Sequence, residues 1–342
     1  MDKMTLESTK IKIDKKDKQI IYELESNCRR SLNVIAKKVG LSKQSLHYKI
    51  ERLVREGAII QFITVFDYSK MGYTNNEVWF QLREMTVDKR KGFVEYLKKH
   101  PQIRWLVTCG GKFDHAMAIM APDIVTFSNI LKEILAEYPN AVQNHFITIS
   151  KEIVTYPRTH LLERQETEKR RGNLLFSSTP EKRDFNQIEL RIMSVLSANA
   201  RVSTVELARL AKTTPKTVRS KIKQFEKEGI VQGYRAVIQP SKIGFENYEV
   251  LIATQSISKE KEKELETYCK TNPYVTFLLH IIGRWDLDIA FDAKDGHHFQ
   301  EILTEIRTRF GDLIREFEYA EILHVYKFDY SIPLTGNQSN NE

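Results

Sequence analysis

Two groups of basic and polar side chains, 172 residues apart, have the chemistry needed to contact a nucleic acid. The first group is Lys43, Gln44, Ser45, His47, Tyr48 and Lys49, and the second is Lys216, Thr217, Arg219, Ser220, Lys221 and Lys223. Arg and Lys donate hydrogen bonds to guanine and to phosphate oxygens, and Gln pairs with adenine. A single lysine here is explained equally well as part of a solvated helix face. Two such groups in one chain predict double-stranded DNA as a partner.

Both groups lie at the start of the third of three short amphipathic helices. Apolar residues recur at helical spacing from Leu46 to Leu53, and the short segment Gly40-Leu41-Ser42 separates this helix from the one before it. The predicted helix caps and stops are Asp14, Ser31, Ser42, Asn186 with Glu189, Ser203 with Glu206, Thr214 followed by Pro215, Gly57 and Gly229. A helix, a turn and a helix that begins with exposed basic residues is the pattern of a helix-turn-helix.

An extended run follows each three-helix block. Residues 58–67 (AIIQFITVFD) and 230–239 (IVQGYRAVIQ) partly alternate apolar and polar residues, which predicts a two-stranded wing. The elements predicted next in the first copy are a strand near Glu77–Leu82, a helix over Thr86–His100, strands at Ile103–Cys109 and His115–Met120, a helix over Asp123–Tyr138 and a long strand from Val142. The order strand, helix, strand, strand, helix, strand is that of a ferredoxin-like domain.

The whole pattern occurs twice. A shift of 172 residues places Leu24, Arg29, Gly111 and Asp114 on Leu196, Arg201, Gly283 and Asp286 without a gap. A repeat of this length is a pair of domains. We therefore expect an α+β protein with two winged helix-turn-helix domains and two ferredoxin-like (βαββαβ) domains, arranged as an internal pseudo-dimer. The predicted boundaries are 12–67 and 184–239 for the winged domains, 68–156 and 240–330 for the ferredoxin-like domains, 157–183 for a charged linker with a short helix, and 331–342 for a disordered tail.

The net charge of +8 is distributed unevenly. Residues 1–172 carry +9 and the remainder −1, yet each three-helix segment, 14–66 and 184–235, carries +5. Positive charge therefore lies in both copies where a nucleic acid would bind. The chain has no apolar stretch long enough for a membrane span and no apolar core of a signal peptide near its start, so we expect a cytoplasmic protein without a membrane partner. Cys28, Cys109 and Cys269 are odd in number and far apart, which predicts reduced thiols.

The residues IDKKDKQII, followed by SLNVIAKKVGLSKQSLHYKIERLVREGAI and an extended run, resemble the feast/famine regulators, the Lrp/AsnC family. The resemblance covers both copies. It implies a winged helix-turn-helix joined to a ferredoxin-like domain called RAM, which dimerises by packing sheets. It also implies transcription regulation, with double-stranded DNA as partner and a small molecule of the amino-acid class bound near the RAM interfaces as effector. The departure is the fusion of two copies, from which we expect RAM–RAM pairing within one chain, with further homo-oligomers left open.

The family's sensing domain often carries a Gly-x-x-Asp turn between its middle strands, and here the corresponding residues are Gly110, Gly111 and Asp114, and Gly283 and Asp286. The resemblance makes them candidate effector-binding residues. The residues by themselves favour a structural role, because glycine supplies backbone freedom in a turn and aspartate bonds nearby amides. The histidines form no spaced cluster, and no paired acid and base stand out. We therefore expect no catalytic residue, no metal site and no cofactor.

Other functions stay open at this point. Siroheme decarboxylases resemble the same regulator architecture, and YTNNEVWF at 73–80 resembles their Asn- and Trp-containing strand, whereas the histidines of their wing segments have no counterpart in IIQFITVF or VQGYRAVI. A non-catalytic architectural DNA-binding protein is a further alternative, as is an RNA-binding adaptor, although the third helices lack stacking platforms for single strands. Binding to specific duplex sequences distinguishes these alternatives.

Overall fold

The computed structural model describes residues 10–162, 173–176, 183–255 and 259–329. The first copy contains α1 (Lys15–Asn27), α2 (Leu32–Val39), α3 (Lys43–Arg55), β1 (Ile59–Phe66), β2 (Thr74–Leu82), α4 (Val87–Lys99), β3 (Ile103–Gly111), β4 (His115–Ala121), α5 (Ile124–Glu137) and β5 (Val142–Thr155). Between the copies lies a short strand, β6 (Asn173–Phe176). The second copy contains α6 (Gln187–Ala198), α7 (Thr204–Leu210), α8 (Pro215–Lys227), β7 (Val231–Ile238), β8 (Glu246–Thr254), α9 (Lys259–Thr271), β9 (Val275–Gly283), β10 (Leu287–Ala293), α10 (Gly296–Phe310) and β11 (Ile314–Phe328).

Side-chain caps start the helices of both three-helix blocks. Asp14 and Asn186 each form a capping box with the third residue of α1 and α6. Ser203 accepts a hydrogen bond from the backbone N–H of Glu206 at the start of α7, as predicted. The carboxylate of Glu206 instead accepts hydrogen bonds from Arg209, so the capping box predicted there is only half formed.

The two extended runs form a two-stranded wing, as predicted, and the wing takes one strand from each copy. Each extended run forms a single strand, and β1 of the first copy pairs antiparallel with β7 of the second. The partial alternation identified the strands correctly, but it carries no information about the partner. The two three-helix blocks are consequently joined to each other by a ribbon to which each copy contributes one strand.

The remaining strands close into a barrel. Within each copy they follow the ferredoxin-like order, β5-β2-β4-β3 and β11-β8-β10-β9. The long strand β11 also pairs with β3, and the long strand β5 also pairs with β9. Because all these pairings are antiparallel and join both edges, the two four-stranded sheets form one closed eight-stranded barrel with no free edge.

Side chains alternate between two environments along each barrel strand. On β2, Val78 and Phe80 belong to the core under α4 and α5, while Trp79 points to the core shared by the two sheets. On β8, Val250 and Ile252 lie in the core with α9 and α10. Both faces of each sheet are therefore covered: helices lie on the outer faces, and the inner faces pack against each other.

The segment predicted as a solvated linker begins with packed residues. Arg158 is buried, and residues Thr159–Leu161 form a short 3-10 helix. Strand β6 pairs with the end of β5. The rest of the predicted linker, 163–172 and 177–182, and the predicted disordered tail, 331–342, lie outside the described residues.

Candidate nucleic-acid interface

The turn between α2 and α3 is set by local chemistry. Helix α2 ends at Gly40, whose φ of 64° lies in the left-handed region that favours glycine. Ser42 then caps α3 by accepting a hydrogen bond from the N–H of Ser45 at 3.1 Å. The buried face of α3 carries Leu46, Ile50 and Leu53. The opposite face at the start of the helix therefore points away from the core.

Five of the six candidate residues of the first copy are exposed on that face: Lys43, Gln44, Ser45, His47 and Tyr48. Tyr48 is 64% exposed, so its ring is open to a partner. His47 Nε2 lies 3.2 Å from a carboxylate oxygen of Glu51, one helical turn away. The exposed set combines cations, hydrogen-bond donors and acceptors, and a flat ring.

The second copy presents a different set at the matching positions of α8. Lys216, Arg219, Ser220 and Lys223 are exposed. Thr217 is half-buried, and its hydroxyl shares a hydrogen bond of 2.9 Å with Thr214, the cap of α8. The exposed face of α8 is therefore more basic than that of α3 and lacks an aromatic ring.

Lys49 and Lys221 differ from the other candidates. The ammonium of Lys49 donates to Asp14 at 2.7 Å and to Asp17 at 3.0 Å, and Lys221 donates to Glu189 at 3.0 Å. Burial alone would lower the pKa of Lys49, but these hydrogen bonds outweigh it and raise that pKa. Because Asp17 and Glu189 are the capping-box residues of α1 and α6, both lysines tie the third helix to the first. Both lysines are therefore paired within the protein, whereas the sequence placed them among the residues that face the DNA groove.

A reciprocal contact joins the two three-helix blocks. Arg201 donates to the carbonyl of Cys28 at 2.7 Å, and Arg29 donates to the carbonyl of Ala200, the residue equivalent to Cys28. Arg29 also lies over the ring of Tyr234 at 5.3 Å, and Arg201 lies over the ring at the equivalent position, Phe62, at 5.1 Å. The contact has the form of a two-fold interface formed within one chain, and it fixes α3 and α8 relative to each other.

The candidate effector turns are engaged in the barrel. Asp114 accepts a hydrogen bond from the N–H of Leu82 at 2.8 Å, and Asp286 accepts one from the N–H of Thr254 at 2.7 Å. A Cβ added to Gly283 would lie 2.6 Å from the carbonyl oxygen of Ile147 on β5. Asp114 and Asp286 thus bond backbone amides at strand ends, and Gly283 leaves room for the backbone of β5 to approach closely. Gly110 and Gly111 lie beside β11, where they pair with Glu321 and Ala320.

A buried ion network, which sequence reasoning missed, connects the first three-helix block to the second ferredoxin-like domain. Arg158 donates to Glu25 on α1 and to Asp292 on β10, and Arg235 on β7 donates to Glu25 at 2.8 Å. Burial would raise the pKa of Glu25, but the charges of Arg158 and Arg235 outweigh it and lower that pKa. His160 lies 3.7 Å from Asp292, and burial lowers its pKa to about 4. In the sequence, Arg158 is one of many charged residues of the predicted linker, and charged segments are usually exposed to solvent.

Among the described residues, the structure brings together one group of side chains that could hold a metal ion, whereas the sequence predicted no metal site and no spaced cluster of histidines. His280 on β9 lies 3.9 Å from Glu262 and 3.5 Å from Glu266 on α9, measured between ring nitrogens and carboxylate oxygens. Imidazole and carboxylate are ligands of zinc. The i, i+4 spacing of the two glutamates on one helix was a signal that could have been found.

Comparison with known proteins assigns the family. A model described as winged helix-turn-helix DNA-binding matches residues 13–60 and 185–232, once in each copy. The transcriptional regulator Ptr1 of Methanocaldococcus jannaschii is 30% identical over 120 residues, which are 35% of this chain and 80% of that protein. This chain belongs to the Lrp/AsnC family of transcriptional regulators. An uncharacterised HTH-type regulator of Pyrococcus furiosus is 28% identical over 148 residues, 41% of this chain and 97% of that protein. Less than half of this Lrp/AsnC chain is thus enough to align with nearly the whole of that relative.

A solved structure that spans both copies shows the same overall fold. The siroheme decarboxylase NirDL aligns with a TM-score of 0.59 and 14% identity, and the alignment covers 91% of this chain and 92% of that one. At this identity the likeness concerns the fold alone. In the described residues of the Lrp/AsnC chain, no helix is both long and apolar enough to span a membrane.

Proposed function

We propose that the protein regulates transcription by binding double-stranded DNA with α3 and α8 of a single chain, as a regulator rather than an enzyme. The observation that carries this proposal is the pair of exposed, polar helix starts held together by the reciprocal contact of Arg29 and Arg201. A helix-turn-helix contacts bases with the first residues of its second helix. One chain then supplies both helices that a two-part DNA site requires.

The proposed DNA site is asymmetric. Gln44, Ser45, His47 and Tyr48 occupy the positions that Lys216, Thr217, Arg219 and Ser220 occupy in the second copy. Two different sets of donors and acceptors favour two different half-site sequences. Selection of binding sites from a random duplex pool tests this directly. We expect two unlike half-sites, and recovery of a perfect inverted repeat would contradict the proposal.

Charge reversal tests the assignment of α8. The triple variant Lys216→Glu, Arg219→Glu, Lys223→Glu should bind the selected duplex more weakly. The slope of log affinity against log salt concentration should fall by up to about 3, because each lost phosphate contact removes about one unit. The matched control reverses three exposed lysines of the first sensing domain, Lys89, Lys91 and Lys132. The control has the same net charge, so equal losses in both triple variants would show that only overall charge matters.

The proposal includes regulation by a small molecule of the amino-acid class bound to the sensing domains. Because a ligand that binds only the folded state must raise its stability, a thermal-shift screen of free amino acids tests this part separately. A concentration-dependent rise in the midpoint supports it. If no amino acid shifts the midpoint, the chain acts as an architectural DNA-binding protein. Assembly into larger homo-oligomers is measured on the same samples by light scattering.

A second candidate function has one observation in its favour. The solved structure whose fold spans both copies of this chain is that of a siroheme decarboxylase. Strands β1 and β7 contain no histidine that could donate a proton to a substrate. Titration with an iron tetrapyrrole distinguishes the two functions, since an enzyme of that kind would shift the visible absorption band of the tetrapyrrole in a saturable way.

A further inference from the structure

A cavity of about 120 Å³ lies inside the barrel, between the two sheets. Its apolar walls include Trp105, Met120 and Phe277. Four carboxyl groups also line it: Glu77 on β2, Glu249 on β8, Asp288 on β10 and Asp329 after β11. Glu77 is 6% exposed and Asp288 is 1% exposed. Glu77 and Glu249 are related by the 172-residue repeat, so the cavity lies where the two copies meet.

Of the three carboxyl groups on the barrel strands, Glu249 and Asp288 are hydrogen-bonded to each other, which requires one of the two to carry a proton. Glu77 Oε1 accepts a hydrogen bond of 3.4 Å from Asn75, whereas Glu77 Oε2 and Asp288 Oδ1 have no hydrogen-bond partner within the part of the chain that the structure describes. Arg104 is the one cation among the described lining residues, and it forms an ion pair of 2.7 Å with Asp329. The cavity therefore has more carboxylate oxygens than donors to satisfy them.

Ionising these buried carboxyl groups costs free energy unless a cation lies beside them. Burial raises the pKa of Glu77 to about 8, with the negative charge of Asp288 adding to the effect. Burial likewise raises the pKa of Glu249 to about 8 and that of Asp288 well above its usual range. Ionised carboxylates in a confined, mostly apolar space are stabilised by a bound cation or by protons.

We propose that this cavity binds a small aliphatic diamine, with its ammonium groups on Glu77, Glu249 and Asp288 and its methylene groups against Trp105 and Phe277. The two glutamates related by the repeat match a ligand with a positive group at each end. A cavity of about 150 Å³ holds benzene with its six carbon atoms, so one of about 120 Å³ holds about five non-hydrogen atoms, as in 1,3-diaminopropane. This site concerns the barrel alone and stands whether or not the protein binds DNA.

Binding releases protons from the carboxyl groups, so affinity rises as the pH is raised from 6 to 8. Among the described residues, the other titratable groups that face these carboxyls are Arg104 and Cys109 on β3, Asp292 on β10, Tyr68 before β2 and Asp329 after β11. Burial raises the pKa of the Cys109 thiol, so it stays protonated over this pH range. Arg104 and Asp329 compensate each other, and Asp292 is paired with Arg158. The proton release therefore comes from Glu77, Glu249 and Asp288.

Calorimetric titration of the full chain at pH 8 tests the site, with 1,3-diaminopropane as ligand and 1,3-propanediol, of the same length but uncharged, as matched control. We expect saturable binding of one diamine per chain with a dissociation constant below about 1 mM and no binding of the diol. In buffers of different ionisation enthalpy, the heat should reveal proton release. Absence of diamine binding, or equal binding of the diol, overturns the proposal.

Variants locate the ligand. Glu77→Gln and, separately, Asp288→Asn should each weaken diamine binding at least tenfold, while both remain folded because each replaces an acid by an amide of the same shape. Glu133→Gln on α5 alters an exposed carboxyl outside the barrel and should leave the affinity unchanged. Unchanged affinity in both cavity variants means that the diamine binds elsewhere and overturns the assignment.

Discussion

Replacing Arg158 by methionine should destabilise the protein far more than the loss of a surface charge. The guanidinium group of Arg158 is buried, and it donates both to Glu25 on α1 and to Asp292 on β10. Removing one partner of a buried ion pair costs about 3–5 kcal/mol, since the remaining charge has lost water without gaining a partner. Methionine keeps most of the length of the side chain, so the change removes the charge with little change of volume.

The structure indicates which charge bears this cost. Without Arg158, Glu25 keeps the ion pair with Arg235 at 2.8 Å. Among the described residues, Asp292 keeps a hydrogen bond of 3.3 Å from Asn247 and an imidazole 3.7 Å away. Most of the penalty therefore falls on Asp292. The double variant Arg158→Met, Asp292→Asn should be more stable than Arg158→Met alone, because neutral groups replace the whole pair.

Calorimetric and urea unfolding of the full chain measure these differences. The control is Arg30→Met, which removes a partly exposed arginine that pairs with Glu23 at 2.6 Å. An exposed pair of this kind contributes about 0–1 kcal/mol. Two results would refute the reasoning: an Arg158→Met variant as stable as the control, or a double variant less stable than the single one.

Three more predictions concern stability. Acid should lower the free energy of unfolding between pH 6.5 and 4, by about 3 kcal/mol from His160 alone, because the folded-state pKa of His160, about 4, lies below its unfolded value and the unfolded state binds the proton first. The lowered pKa of Glu25 adds to this loss below about pH 4.5. Unfolding measured at stepped pH tests the prediction. Glu77→Gln should raise the unfolding midpoint at pH 8 more than at pH 5, since a carboxyl whose pKa is raised from 4.5 to about 8 costs about 4 kcal/mol over that interval; an equal effect at both pH values would contradict this. Arg29→Met and Arg201→Met should lower the midpoint by similar amounts, as equivalent parts of one two-fold contact, and a large difference between them in parallel melts would count against the equivalence.

The sequence predicted the helices and strands of the two copies, which are recorded in local periodicity and capping chemistry, but it did not predict β6, which lies in the segment assigned to the linker. Ser42, Thr214 and Asn186 cap helices at the expected places, and the ferredoxin-like order was correct in both copies. The pairing of β1 with β7 could not be predicted, since alternation along a strand shows that one face is apolar but not which strand lies beside it.

The candidate sites were predicted less completely, for two physical reasons. Lys49 and Lys221 occur at helix positions that look solvated, but a long flexible side chain reaches the capping carboxylate of a neighbouring helix. Glu77 alternates with Val78 along β2, which in an open sheet would place its carboxyl in water. Closure of the barrel covers that face as well, and only the pairings of β5 with β9 and of β3 with β11 reveal it.

In a symmetric homodimer every contact away from the two-fold axis occurs twice, whereas the fusion of two copies permits a contact that occurs once. The ion pairs among Glu25, Arg158, Arg235 and Asp292 connect the first three-helix block to the second ferredoxin-like domain. The residues equivalent to Glu25, Arg235 and Asp292 in the opposite direction are Ser197, Ile63 and Met120, which cannot form ion pairs. In a homodimer the same substitution would create or delete both connections at once. The ion network therefore links Asp292 of the second ferredoxin-like domain to the first three-helix block, and the residues at the equivalent positions of the opposite connection carry no charge.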